Sequence, residues 1–163
     1  VMILVNISES DIGESPEFIE KIDAWAKERN MPVLKFCGKA EMEIAQLDES
    51  ERPEFMEALG IEESSRDQFI RATYKLLDLV AFFTVGEDEV KAWTIPNNTI
   101  AQEAAGKIHT DIQRGFIRAE VLHYDHLRQT GSWNAAKEKG LVRLEGKEYL
   151  VKDGDCINYR FAV

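Results

Sequence analysis

The hydrophobic pattern changes its period once, near Val80, and that change constrains the fold of this chain more than any other feature. Before it, short apolar runs alternate with stretches of helical spacing. After it, alternation by twos dominates. The first pattern is that of strands covered on both faces and joined by helices; the second is that of half-buried strands. The chain therefore reads as an α/β unit over residues 1–79 followed by a sheet-rich α+β unit over residues 80–163.

In the first unit, residues 1–6 form a continuous apolar strand that runs into Asn6-Ile7-Ser8-Glu9. Ser15-Pro16 reads as an N-cap followed by Pro at the first helical position. Phe18, Ile22, Trp25 and Ala26 then share one helical face. Met31 to Cys37 is the second strand, which makes a βαβ unit with an expected right-handed crossover. Helices follow from about Ala40 to Leu47, around Phe55, Met56 and Leu59 as far as Gly60, and from about Ser65 to Leu77, where Ile70, Tyr74 and Leu77 align. Two strands make a small sheet for that many amphipathic helices. Apolar faces are expected to be left over, so this half is expected to depend on a larger sheet.

In the second unit, Val80 to Val85 and Val90 to Ile95 are strands joined by a turn at Gly86-Glu87-Asp88-Glu89. Thr99 with Gln102 predicts a capping box, and Ile100, Ala104, Ala105 and Ile108 give the next helix its buried stripe. Phe116 to His123 is a strand. Short helices around Asp125–Gln129 and Ser132–Lys139 end at Gly131 and Gly140. Leu141–Leu144, Tyr149–Val151 and Cys156–Phe161 complete the sheet. A hairpin, a crossing helix and further strands describe a β-grasp, the ubiquitin-like arrangement. This half carries a full set of local signals and is expected to fold alone.

Charge divides as unevenly as pattern. Residues 1–79 hold 9 Lys+Arg against 18 Asp+Glu, whereas residues 80–163 hold 11 against 12. An acidic first half argues against broad nucleic-acid binding there, while the second half has room for a local basic patch. Lys107, Arg114, Arg118, Lys147 and Arg160, with Trp93 or Tyr149 nearby, are its candidates; read alone they are equally scattered charges on a solvated sheet. Cys37 and Cys156 lie in strand-like apolar surroundings and are expected as reduced core thiols. No apolar run has the length of a membrane span. His109, Asp111, His123 and His126 match no established metal-ligand spacing. Ser64, Ser65 and Ser132 read as helix caps, and no nucleophile elbow occurs.

Asn6-Ile7-Ser8-Glu9 is the candidate with the sharpest chemistry. Many P-loop GTPases read a purine at such a strand end with Asn-Lys-x-Asp, the Asp accepting two hydrogen bonds from guanine. Here Ile7 and Glu9 replace the Lys and the Asp. Glu is longer by a methylene, so the paired acceptors are displaced and guanine selection relaxes. Cys37-Gly38-Lys39, after the second strand, is the second loop that would face a base, with Gly38 permitting close backbone approach. By spacing alone both are also ordinary polar strand ends, with Asn6 and Ser8 capping a turn. The glycine-lysine loop that holds phosphates would precede Asn6. The chain begins at Val1 and contains no such loop, so it is expected to be the downstream portion of a larger nucleotide-binding protein.

Three long strings carry a resemblance. They run from Phe82-Phe83-Thr84-Val85-Gly86 to Val90-Lys91-Ala92-Trp93-Thr94-Ile95, from Ala104-Ala105-Gly106-Lys107-Ile108-His109-Thr110-Asp111 to Arg114-Gly115-Phe116-Ile117-Arg118-Ala119-Glu120-Val121, and from Glu145-Gly146-Lys147-Glu148-Tyr149 to Asp153-Gly154-Asp155. They resemble the YchF family of Obg-like ATPases over essentially the whole chain. The resemblance implies that residues 1–79 are the end of a P-loop nucleotide domain and residues 80–163 a TGS domain. It also implies a cytoplasmic protein that binds and hydrolyses ATP, GTP or both with Mg2+ and associates with the ribosome or its RNA, without a membrane or DNA partner. Asn6, Ile7, Glu9, Cys37 and Gly38 become base-binding residues. The Mg2+ ligands would lie outside the chain, which alone is expected to hydrolyse nothing. Two departures are Pro96-Asn97-Asn98, where many relatives have a basic turn, and Ile112, where an aromatic residue is usual.

Overall fold

Parallel pairing of two short apolar strands organises the first part of the chain. The computed structural model describes residues 1–86 and 89–162, and it divides into Val1–Leu76 and Leu77–Val163. In the first, β1 (Ile3–Asn6) pairs with β2 (Val33–Phe36), Ile3 opposite Val33 and Asn6 opposite Phe36. The crossover is α1 (Glu17–Lys27); α2 (Gly38–Gln46), α3 (Arg52–Ala58) and α4 (Ser65–Leu76) follow. Because both strands run the same way, their carboxyl ends lie at one edge, where Asn6 and Cys37 emerge.

Several sequence expectations are corrected here. α1 starts at Glu17, with Pro16 as its N-cap rather than its first residue. Its buried stripe is Ile19 and Ala26, whereas Phe18 and Trp25 are each 49% exposed. Two stripes overlap on this helix, and the one bearing the small Ala26 is turned inward. Small side chains allow close packing of helix backbone. Trp25 instead carries the Arg29 guanidinium on its ring at 4.3 Å. On α4, Ile70 is exposed rather than aligned inward, and Leu77, also exposed, lies past the helix end. Leu4 is 51% exposed, so β1 is covered on one face among the described residues. Gly60, at φ +68°, closes the turn after α3, as its position predicts.

The second unit is a five-stranded mixed sheet of β3 (Leu79–Val85), β4 (Val90–Pro96), β5 (Phe116–His123), β6 (Arg143–Glu145) and β7 (Asp155–Phe161), in the order β4-β3-β7-β5-β6. The β3–β7 pair is parallel, and the other pairings are antiparallel. The expected hairpin turn falls partly outside the described residues, though Gly86 N–H donates to Glu89 O at 2.9 Å. Helix α5 (Ala101–Ile108) lays three fully buried alanines, Ala101, Ala104 and Ala105, over Phe82, Ile95, Val121 and Ile157. The short α6 (Thr110–Arg114) follows it. Leu122, Cys156 and Ala136 are buried outside that cluster, with α7 (Tyr124–Thr130) and α8 (Trp133–Glu138) beside them. Both cysteines are buried free thiols.

The boundary lies slightly earlier than the pattern change. Asp78 accepts from Asn97 through both backbone (2.8 Å) and side chain (3.1 Å), which ties it to the second unit. The capping box does not form. Ile100 is the N-cap of α5, the Thr99 hydroxyl donates to Pro96 O, and Gln102 Nε2 donates to Gln113 O. Tyr149–Val151 is not a strand; only a bridge between Ile100 and Leu150 forms there.

Gly115 marks the closest backbone approach. A Cβ there would lie 1.9 Å from Ala162 O, and Ala162 N–H donates to Gly115 O at 3.0 Å. The obstacle is main chain, so the end of β7 must move. Gly115→Ala is expected to destabilise the second unit by about 2–3 kcal/mol, the cost of overpacking. A lowered denaturation midpoint checks this, and an unchanged one contradicts it.

Candidate functional site

Gly38 N–H donates to the Asn6 side-chain Oδ1 at 3.0 Å, across 32 positions of sequence. This bond ties the end of β1 to the first residue of α2. The strand ladder runs one step further, Ile7 N–H donating to Phe36 O at 2.9 Å. Asn6 thus braces the opposite loop instead of capping its own turn. Ser8 does the local work, its hydroxyl donating to Asp11 Oδ2 at 2.6 Å. Gly38 has ordinary room for a Cβ, 3.4 Å from Asn6 Oδ1, so the turn itself does not demand glycine. Cys37, buried beneath it, is the N-cap of α2.

Glu9 does not stand free. Lys39 Nζ lies 2.8 Å from Glu9 Oε2 and 3.8 Å from Glu43 Oε1. The Glu9 hydrogen bond first, then the charges of Glu9 and Glu43, raise the Lys39 ammonium above its ordinary pKa. Ile7, Phe36 and Cys37 line a recess of about 410 Å³ whose rim carries Asp11, Glu14, Glu41, Glu62 and Glu63. Its one lysine, Lys35, is paired with Asp23 at 2.7 Å. A rim this acidic repels polyphosphate.

The five basic residues of the second unit have different partners. Arg118 and Arg160 are direct cross-strand partners on β5 and β7. Arg160 is bound to the buried Glu120 carboxylate, which Lys137 also approaches at 3.6 Å and Asn158 at 3.5 Å. Arg114 pairs with Asp111 at 3.5 Å. Lys107 sits in the last turn of α5, whereas Lys147 lies beside the first, its carbonyl accepting from Gln102 N–H. Two of the three histidines act as caps: Asp111 N–H donates to His109 Nδ1 at 3.2 Å, and Asp125 N–H to His123 Nδ1 at 3.3 Å.

A model of the family described as YchF-GTPase_C, protein of unknown function (DUF933), matches residues 79–162. The chain belongs to the YchF family. It is 47% identical over 165 aligned residues to the ribosome-binding ATPase YchF of Bacillus subtilis, an alignment covering all of this chain and 45% of that protein. It is 42% identical to the Obg-like ATPase 1 of Rattus norvegicus, over 99% of this chain and 41% of that one. The structure of the Schizosaccharomyces pombe YchF GTPase superposes with a TM-score of 0.85 at 33% identity, covering 98% of this chain and 43% of that one. A GTP-binding protein of Pyrococcus horikoshii shares the fold, with a TM-score of 0.67 at 16% identity over 99% of this chain and 45% of that one. This chain spans less than half the length of each of these relatives.

Two features of this YchF chain escaped the sequence reading. One is Lys39, whose partner Glu9 is 30 positions away. The other is a buried polar cluster around Asp155, which is 1% exposed. Tyr149 OH donates to Asp155 Oδ2 at 2.8 Å and accepts from Arg143 at 2.8 Å. Lys152 N–H also donates to Asp155 Oδ2, at 2.9 Å. Its members lie close together in sequence, within residues 143–155, but no short motif announces them.

Burial foremost, then the Asp155 hydrogen bond, pushes the Tyr149 phenol up from 10.0 to about 12. A raised phenol contributes stability that is complete below pH 10 and lost as pH climbs through about 12. Denaturant midpoints at pH 8 and pH 11 should therefore fall more steeply in the parent chain than in Tyr149→Phe. Equal losses would contradict this.

Proposed function

We propose that this chain supplies the base-reading loops and an appended β-grasp TGS domain of a YchF-type protein that binds and hydrolyses ATP, GTP or both and works on the ribosome. The observation that carries the reading is the bond from Gly38 N–H to Asn6 Oδ1. It orients the Asn6 amide so that Oδ1 is spent within the protein while Nδ2 has no partner among the described residues. A purine N7 is the matching acceptor, and adenine and guanine both offer it. Ile7 supplies an apolar side chain beside the ring position, Cys37 and Gly38 form the second wall, and Glu9 is the acid that selects between purines. The β-grasp assignment is supported by the parallel β3–β7 pair at the centre of the sheet and by the alanine-faced helix lying across it.

Hydrolysis is assigned to the full-length protein. Magnesium would accompany the triphosphate there, but among the described residues no three His, Cys, Asp or Glu gather to hold a metal ion. The residues present do not fit it. A ribosomal role rests on the naming of the relatives from Bacillus subtilis and Escherichia coli as ribosome-binding ATPases. Such a role puts the work in the cytoplasm. Among the described residues no helix is long and apolar enough to cross a membrane. Lys107, Arg114, Arg118, Lys147 and Arg160 remain proposed contacts to RNA or a protein partner. Lys107, Arg118 and Lys147 are the stronger of them, because Arg114 and Arg160 are already paired with Asp111 and Glu120. In isolation the chain is, on this reading, a non-catalytic binding module.

Two variants of the full-length protein test this. Asn6→Ala leaves the Gly38 N–H unanswered and should weaken ATP and GTP alike, by about 1–3 kcal/mol. Ile7→Lys combined with Glu9→Asp restores a shorter acid and a lysine that packs along the base. It should shift preference towards GTP by about 1–3 kcal/mol. Dissociation constants from calorimetry decide; values unchanged in both variants would remove the assignment.

A further inference from the structure

We propose that Lys39 is a specificity-determining residue that excludes guanine by occupying one of the two Glu9 carboxylate oxygens. The inference rests on the base-binding reading of Asn6 and Gly38 and adds a second, electrostatic cause to the extra methylene of Glu9. Paired recognition of guanine needs both oxygens of an acid, one for the ring N–H and one for the exocyclic amine. In this structure Oε2 is bound by the Lys39 ammonium at 2.8 Å, which leaves only one. Adenine has no such pair of donors on that edge and asks nothing of Glu9.

Three observations indicate that the pairing is built in. Lys39 is the second residue of α2, where the helix dipole opposes a cation, so its charge must be answered locally. Glu9 answers it from one side, and Glu43, one turn along the helix, answers from the other. The same pairing, the Glu9 hydrogen bond first, raises the Lys39 pKa above its ordinary value. The pair also joins the same two loops as the Asn6–Gly38 bond, so the acid is tethered across the junction. To bind a guanine, the protein would have to break this ion pair or leave one guanine donor unmatched. Both penalties fall on GTP alone.

The test is calorimetry of ATP and GTP binding to the full-length protein carrying Lys39→Met, Lys39→Arg or Glu43→Gln. Lys39 is largely exposed, with 64% of its side chain accessible, so these changes leave the fold intact. In Lys39→Met the GTP dissociation constant is expected to fall about fivefold, the scale of an exposed ion pair, with that for ATP unchanged. Lys39→Arg and Glu43→Gln should keep the parental ratio, since both retain a cation on Glu9. A GTP-to-ATP ratio unchanged by Lys39→Met would overturn the proposal. So would an equal weakening of both nucleotides, which would make Lys39 a strap between loops and not a selector. If the parental protein binds neither nucleotide, the base-binding reading fails first and this inference falls with it.

Discussion

Everything assigned to the first unit depends on two strands pairing in parallel. Parallel pairing forces a crossover, here α1, and it brings both carboxyl ends to the same edge. Ligands of open α/β sheets bind at that edge because loops from separate strands converge there. In this chain the convergence is fixed by one hydrogen bond, from Gly38 N–H to Asn6 Oδ1. Without it, Asn6-Ile7-Ser8-Glu9 and Cys37-Gly38-Lys39 are two independent turns. With it they form one surface, and the Glu9–Lys39 pair reinforces the same junction.

Electrostatics divides the labour. The recess next to Ile7 is rimmed by five carboxylates, a poor environment for phosphates and a tolerable one for a neutral ring. Charge at the junction itself is locally balanced, Lys39 being shared between Glu9 and Glu43. The second unit behaves differently. Its buried charges are Glu120, met by Arg160, Asn158 and Lys137, and Asp155, whose Oδ2 accepts from Tyr149 OH and Lys152 N–H. Buried carboxylates of this kind are tolerated when hydrogen-bonded and paired. They consume Arg160 and Arg143, which narrows the set of cations left to meet an external partner.

Local signals were legible in the sequence, and distant partnerships were not. Gly131 and Gly140 adopt φ of +76° and +68° where C-caps were expected, because a left-handed residue after a helix is a purely local demand. The change of period placed the two units to within a few residues of their division at Leu76 and Leu77. α1 was misread because Ile22 belongs to two overlapping stripes, and tertiary packing chose the one with Ile19 and Ala26. The Thr99 and Gln102 box failed because the helix starts one residue later, with Ile100 as N-cap, and both side chains donate elsewhere, to Pro96 O and Gln113 O. Asn6 was legible as a strand-end residue, yet its true partner, Gly38, could be named only once the strands were paired. The Lys39–Glu9 pair spans 30 positions and required coordinates, whereas the Asp155 cluster is local but follows no regular helix or strand spacing.

The most direct test of the account is to ask where a bound purine touches the protein. The full-length protein would be photolabelled with 8-azidoadenosine triphosphate, digested, and its modified peptides sequenced by mass spectrometry. Label is predicted on the peptides that carry Asn6 to Glu9 and Cys37 to Lys39, and it should be suppressed by excess ATP. Competable label confined to residues of the second unit, with none at either of those loops, would contradict the claim that this parallel strand edge reads the base.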